Sequence, residues 1–138
     1  MRKIRKDADG DGHFGAARGA RLHKGIDLEY APDEPVTAEI SGYVNRIVLP
    51  YADDLDYTGI EVKGRVLIWH GLYITPLKKM IGSFVKKGTI VGYAQDIRKR
   101  YPQCKDMKNH THNNFYCDYC GLRSEIKRML LKLTGGLK

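Results

Sequence analysis

Between residues 25 and 93 the chain is cut by turn residues into short apolar or β-branched runs, and this punctuation leaves little room for anything but strands. Residues 25–29 read as a first strand, closed by the turn cluster Ala31-Pro32-Asp33-Glu34-Pro35, and residues 35–38 and 42–49 alternate or run β-branched. Lys63-Gly64 reads as a hairpin turn between 58–62 and 65–73. Pro76-Leu77-Lys78-Lys79 breaks the next run, and 85–93 is a turn followed by a strand. Short strands with a turn signal about every 8–12 residues predict a mainly-β fold, an antiparallel sandwich or open barrel-like sheet with a cleft. The end departs from this pattern. Ser124 can cap a helix whose residues Ile126, Met129, Leu130 and Leu133 share one face, with Gly135-Gly136 as its stop. The expected organisation is a basic and polar N-terminal segment over 1–11, one β domain over 12–120, and a short C-terminal amphipathic α-helix with its tail over 121–138.

At 138 residues, 42% hydrophobic and 29% charged, the composition is that of one ordinary soluble domain. No apolar run approaches the ~20 residues of a membrane helix. Met1-Arg2-Lys3-Ile4-Arg5-Lys6 is basic but no hydrophobic segment follows, so no secretory signal peptide is expected. The formal charge of +8 favours polyanionic partners such as nucleic acid, teichoic acid or a wall surface. No nucleic-acid-binding signature accompanies it, so no specific nucleic-acid partner is expected. Cys104, Cys117 and Cys120 are an odd number and make no disulfide framework.

The chemistry-bearing residues gather in two places. In Lys108-Asn109-His110-Thr111-His112-Asn113-Asn114-Phe115, His110 and His112 point to one face if the segment is extended, because strand side chains alternate. One of the two can bind a metal while its neighbour moves a proton. Far upstream, in Arg21-Leu22-His23-Lys24-Gly25-Ile26-Asp27-Leu28, Ile26 and Leu28 supply a buried face and leave His23 and Asp27 to reach out of it. Two imidazoles and one carboxylate, with no fourth protein ligand in view, describe a catalytic zinc site with an open position rather than a structural one. Two rivals share these residues. His110 and His112 could join Cys117 and Cys120 in a closed structural site, although such sites space their histidines by three to five residues. Two His and one carboxylate also make the facial triad of a non-haem iron oxygenase, whose His-x-Asp spacing is absent here.

Other candidates read as bland. Residues 7–12, Asp-Ala-Asp-Gly-Asp-Gly, begin like a calcium loop, but Arg18 stands where the closing Glu belongs, so a flexible polar turn is expected. Asp53, Asp54 and Asp56 read as solvated loop acids. His13, in the Gly-rich stretch 12–19, reads as a solvated histidine that could line a cleft.

The order Phe14-Gly15-x-x-Arg18, His23-x-x-x-Asp27, Tyr73-x-x, a Val85-x-x-Gly88-x-x-x-Gly92 strand and His110-x-His112 resembles the lysostaphin/LytM-type zinc metallopeptidases, peptidoglycan endopeptidases of the duplicated-hybrid-motif fold. The resemblance covers about residues 12–115. It implies a Zn2+ cofactor on His23, Asp27 and His112, with His110 as general base and Tyr73 orienting or stabilising the intermediate. The implied reaction is hydrolysis of wall peptide bonds, with peptidoglycan as substrate. Two positions depart from the family's pattern. Thr75 stands where Tyr-x-His carries its histidine, and Asn114 replaces the acid of His-x-His-x-Glu, which weakens an outer-sphere role there. Counting from Tyr73 puts His70 on the opposite strand face. The Tyr-x-x-Pro form also resembles a leukocyte-chemotaxin branch, in which the zinc site persists in a binding molecule. Short forms without a signal resemble phage wall-degrading proteins. That branch implies a virion-associated or lysis-released protein acting at the cell wall, with other phage structural proteins as partners through the C-terminal helix. The alternative function is a catalytically inactive zinc-binding module, either a virion structural protein or a glycan- or protein-binding one.

Overall fold

The computed structural model describes residues 2–117. It is built of thirteen strands: β1 (Lys6–Asp7), β2 (Gly10–Asp11), β3 (Ala17–Arg18), β4 (Arg21–Leu22), β5 (Ile26–Glu29), β6 (Pro35–Thr37), β7 (Gly42–Val48), β8 (Gly59–Lys63), β9 (Leu67–Leu72), β10 (Ile74–Pro76), β11 (Phe84–Val85), β12 (Ile90–Ala94) and β13 (His110–Cys117). Six of them form the main sheet in the order β11-β7-β8-β9-β13-β5, and β10-β12-β6 form a second sheet. Every pairing is antiparallel and neither sheet closes into a barrel, as the punctuation predicts. The expected C-terminal helix, from Ser124 to the Gly135-Gly136 stop, lies outside the described residues.

Alternation sorts the main sheet into two faces. Ile26, Val44, Ile60, Val62 and Trp69 turn inward and meet Val36, Ile74, Val91 and Ala94 of the second sheet in one buried core. The polar core residue Asn113 is 1% exposed and fully used: its Oδ1 accepts from Trp69 Nε1 at 2.9 Å, and its amide donates to Ile26 O and Thr111 Oγ1. Burial of an amide is tolerable only with such partners. The other face of β5 and β13 carries Asp27, His110 and His112, and it forms the floor of the cleft.

The N-terminal stretch that reads as flexible turn and loop is folded onto this sheet. β1 and β2 make a tight hairpin, β3 and β4 another, and Arg5 N and Glu29 N donate to Asp27 O and Lys3 O. Strands two residues long carry no periodicity, so no sequence pattern announces them.

Candidate active site

β5 and β13 pair so that His112 lies directly opposite Asp27, and Asn113 opposite Ile26. Opposite residues share a face, so the pairing that buries Ile26 necessarily brings Asp27 to His112 across 85 positions of sequence. His23 enters from the end of the β3–β4 hairpin. Its backbone N–H donates to Ala16 O, and Gly15 N–H donates to its carbonyl. Gly25 then lets β5 run against β13: a Cβ there would sit 2.6 Å from Asn113 O, Asn114 Oδ1 and His112 Nε2.

The three side chains close a triangle. His23 Nε2 is 3.0 Å from His112 Nδ1 and 3.1 Å from Asp27 Oδ1, and His112 Nδ1 is 2.8 Å from the same oxygen. A tetrahedral zinc with ligands at ~2.0–2.1 Å sets its donors ~3.3 Å apart, a few tenths more than these edges. Outer partners orient both rings. His23 Nδ1–H donates to the His13 carbonyl at 2.9 Å, and His112 Nε2–H donates to Asn114 Oδ1 at 3.0 Å. With those nitrogens committed, the other ring nitrogens of His23 and His112 converge with a carboxylate oxygen on one point, a donor set that suits a cation. Protons on the rings can serve in its place. Burial works to raise the Asp27 carboxyl, but His112, His23 and His110 outweigh it and hold Asp27 well below the ordinary carboxylate range. His23, Asp27 and His112 are the residues expected to bind metal, and this chemistry fits them.

His110, two residues before His112 on the same face, is 5% exposed. Its Nδ1–H donates to Lys108 O at 2.8 Å, leaving Nε2 facing the cleft 3.8 Å from Asp27 Oδ2. Burial lowers its pKa, with the Asp27 charge opposing, so the ring is neutral near pH 7 and can accept a proton. Tyr73 stands edge-on to His110 with ring centroids 6.0 Å apart. Its backbone is left-handed, φ 65°, a strained state for an aromatic residue. Gln95 N donates to its carbonyl, and its hydroxyl bonds Tyr51 at 2.9 Å. Burial pushes the Tyr73 phenol up to about 12, which keeps its proton available for donation.

Arg5, Arg18, Asn114 and Tyr51 also belong to the site, beside the residues expected to act there. Arg5 and Arg18 reach Asp27 Oδ2 at 3.3 and 3.2 Å. Arg5, Arg18, Asn114 and the His13 carbonyl contact the triangle itself, while the Lys108 carbonyl holds His110 and Tyr51 holds Tyr73. Arg18, in the Phe-Gly-x-x-Arg loop, and Asn114, at the acid position of His-x-His-x-Glu, carry a sequence signal, whereas Arg5 and Tyr51 carry none. The whole cleft has a volume of about 510 Å³.

The solved catalytic domain of the antimicrobial peptidase lysostaphin from Staphylococcus simulans superposes on 83% of this chain and 82% of its own, with TM-score 0.55 and 18% identity. A catalytic-domain variant of the prophage-encoded protein EnpA from Enterococcus faecalis matches 84% of this chain and 82% of its own, at TM-score 0.56 and 19% identity. The chain has the lysostaphin-type fold. In sequence, it is 29% identical over 107 residues to leukocyte cell-derived chemotaxin-2 of Bos taurus, covering 77% of this chain and 68% of that one. No family model matches.

Two details of the lysostaphin-type pattern come out differently from their sequence reading. Asn114 has the outer role that its missing acid puts in doubt, because its amide oxygen replaces a carboxylate as acceptor for His112. His70 pairs across the sheet with Asn114 and therefore shares the His112 face. Counting from Tyr73 fails because the left-handed break there ends the alternation. His70 is occupied elsewhere, its Nε2 2.7 Å from Glu61 Oε1. Cys117, five residues beyond His112, is buried on the core side of β13, so parity separates it from a closed site with the histidines. Thr75 lies on β10 opposite Tyr93, exposed and outside the cleft lining. Among the described residues no helix is long and apolar enough to cross a membrane.

Proposed function

We propose that the protein is a zinc-dependent endopeptidase that hydrolyses peptide bonds of peptidoglycan. The observation that carries this reading is the triangle of His23, Asp27 and His112, with a neutral, buried His110 beside it on the same strand face. Zinc held there would polarise the scissile carbonyl and make water nucleophilic at neutral pH. The chain's own residues do the rest. His110 takes a proton at Nε2, because Nδ1 is committed to Lys108 O, and returns it to the leaving amine. Tyr73 donates its hydroxyl toward charge developing on the carbonyl oxygen, and Tyr51 holds that hydroxyl in place. Arg5 and Arg18 fix the second oxygen of Asp27, so the carboxylate presents Oδ1 to the metal. The lysostaphin-type fold supports a wall peptide as substrate, and the net charge of +8 suits an anionic wall.

A second reading, a zinc-holding binding module without turnover, is favoured by the exposed Thr75 and the chemotaxin relative. Release of soluble peptides from purified peptidoglycan separates the two. The peptidase reading predicts release by the zinc-loaded chain and its loss in His110→Ala. Zinc binding with no release by either protein would leave the binding module.

A further inference from the structure

The cleft lining combines cations with aromatic residues. Arg18, Arg21 and Lys24, from the β3–β4 hairpin and the residues after it, line it together with Pro50, Tyr51 and Tyr101. Within the hairpin Arg18 lies directly opposite Arg21. Like charges in a cross-strand pair work against pairing, and a hairpin this short has little else to offset the cost. Arg18 is relieved, since its Nη2 donates to Asp11 O at 2.7 Å and to Asp27 at 3.2 Å. The side chains of Arg21 and Lys24 are exposed and make no hydrogen bond or ion pair among the described residues. Neither acid lining the cleft, Asp9 or Asp27, forms an ion pair with them. Asp27 is enclosed by three imidazoles and two guanidiniums, and Asp9 Oδ2 accepts from Asp106 N–H.

We infer that Arg21 and Lys24 form a carboxylate subsite and that the cleft prefers acidic peptides, with a Glu or Asp side chain or a free C-terminus placed on the hairpin side of the reacting bond. This rests on the peptidase reading of the same site and names its substrate class. A peptide fits better than a phosphate polymer. Tyr51, Tyr73 and Tyr101 supply aromatic surface to the same cleft and its floor holds the constellation read as amide-hydrolysing, so the occupant combines one local negative charge with an apolar remainder. Arg21 and Lys24 flank His23 in sequence, which puts a ligand carboxylate held by them at the end of the hairpin that carries this histidine.

The test is fluorescence anisotropy with two labelled hexapeptides that are identical except for one Glu or Gln. They are titrated onto the full chain with one equivalent of zinc, in a His110→Ala background so that binding is read without turnover. Two partly exposed ion pairs predict about tenfold tighter binding of the Glu peptide at low salt, an advantage that shrinks as salt rises. Arg21→Gln/Lys24→Gln should erase the advantage and leave the Gln peptide unchanged, and Arg21→Glu/Lys24→Glu should reverse the preference. Both residues are exposed, and an unchanged circular dichroism spectrum verifies folding. Equal binding of the two peptides, binding of neither, or a Glu preference that survives the double variant would overturn the inference. So would tighter binding of a glycerol-phosphate oligomer than of the Glu peptide. The peptidase reading fails separately, on peptide release by the wild-type chain.

Discussion

Replacing Gly25 by alanine should damage the proposed metal site without replacing any of its ligands. The added Cβ would lie 2.6 Å from Asn113 O, Asn114 Oδ1 and His112 Nε2. An unstrained contact needs about 3.4 Å or more, so something must move by roughly 0.8 Å. Asn113 O belongs to a strand locked to β5 by the pairings of Asn113 with Ile26, His112 with Asp27 and Thr111 with Leu28, and it resists. The movable atoms are Asn114 Oδ1 and His112 Nε2, which are the hydrogen bond that aims His112 at the triangle. A metal site tolerates about 0.2 Å in a ligand position. Loss of the outer partner alone typically costs ~10–100-fold in metal affinity, and overpacking a strand contact adds ~1–3 kcal/mol of destabilisation. Competition with a chromophoric zinc chelator measures the first quantity and urea unfolding of the metal-free chain the second. Gly82→Ala is the control: φ there is 86° but nothing lies within 4 Å of a new Cβ, so stability should fall while zinc affinity holds. A Gly25→Ala protein that binds zinc within twofold of wild type would refute the packing argument.

Asn113→Ala removes the acceptor of the buried Trp69 N–H and the donor to Ile26 O, so thermal or urea unfolding should show a loss of about 2–4 kcal/mol. Tyr73→Phe keeps the ring beside His110 but deletes the hydroxyl held by Tyr51. It should lower kcat about 10²-fold with zinc affinity unchanged, as read by peptide-release kinetics and chelator competition. For the metal-free chain the pH dependence has a definite sign. His110 has a folded pKa below its ordinary 6.5, so its contribution is full above that value and is lost as pH falls below it. Asp27 is depressed from 3.8, and its contribution is lost at still lower pH. Urea midpoints should therefore decline from about pH 6.5 downward, and a flat profile from pH 7 to 5 would contradict the buried neutral His110.

Strands that alternate over five or more residues were legible from the sequence alone. Residues 42–49 became β7, the Lys63-Gly64 turn joins β8 to β9, and the parity of His110 and His112 survives intact in β13. So did the division of labour in the His23 to Leu28 segment, because burial of Ile26 and Leu28 leaves Asp27 one face to occupy. What the sequence hid depends on tertiary pairing. Arg5 is 5% exposed and looks out of place in a basic leader until Asp7 and Asp27 are found around it. His70 was misplaced because one left-handed residue, Tyr73, resets the alternation, and no residue type announces that state in a tyrosine. Asn114 as an outer partner needed the distance to His112, since amide and carboxylate oxygens accept alike.

If His23, Asp27 and His112 hold one zinc and leave a position open, X-ray absorption at the zinc edge, on the full chain loaded with one equivalent, should show nitrogen and oxygen neighbours only. These should lie at ~2.0–2.1 Å and include two imidazoles, one of which should be lost in His23→Ala. A sulfur neighbour at ~2.3 Å would place cysteine on the metal and refute this ligand set.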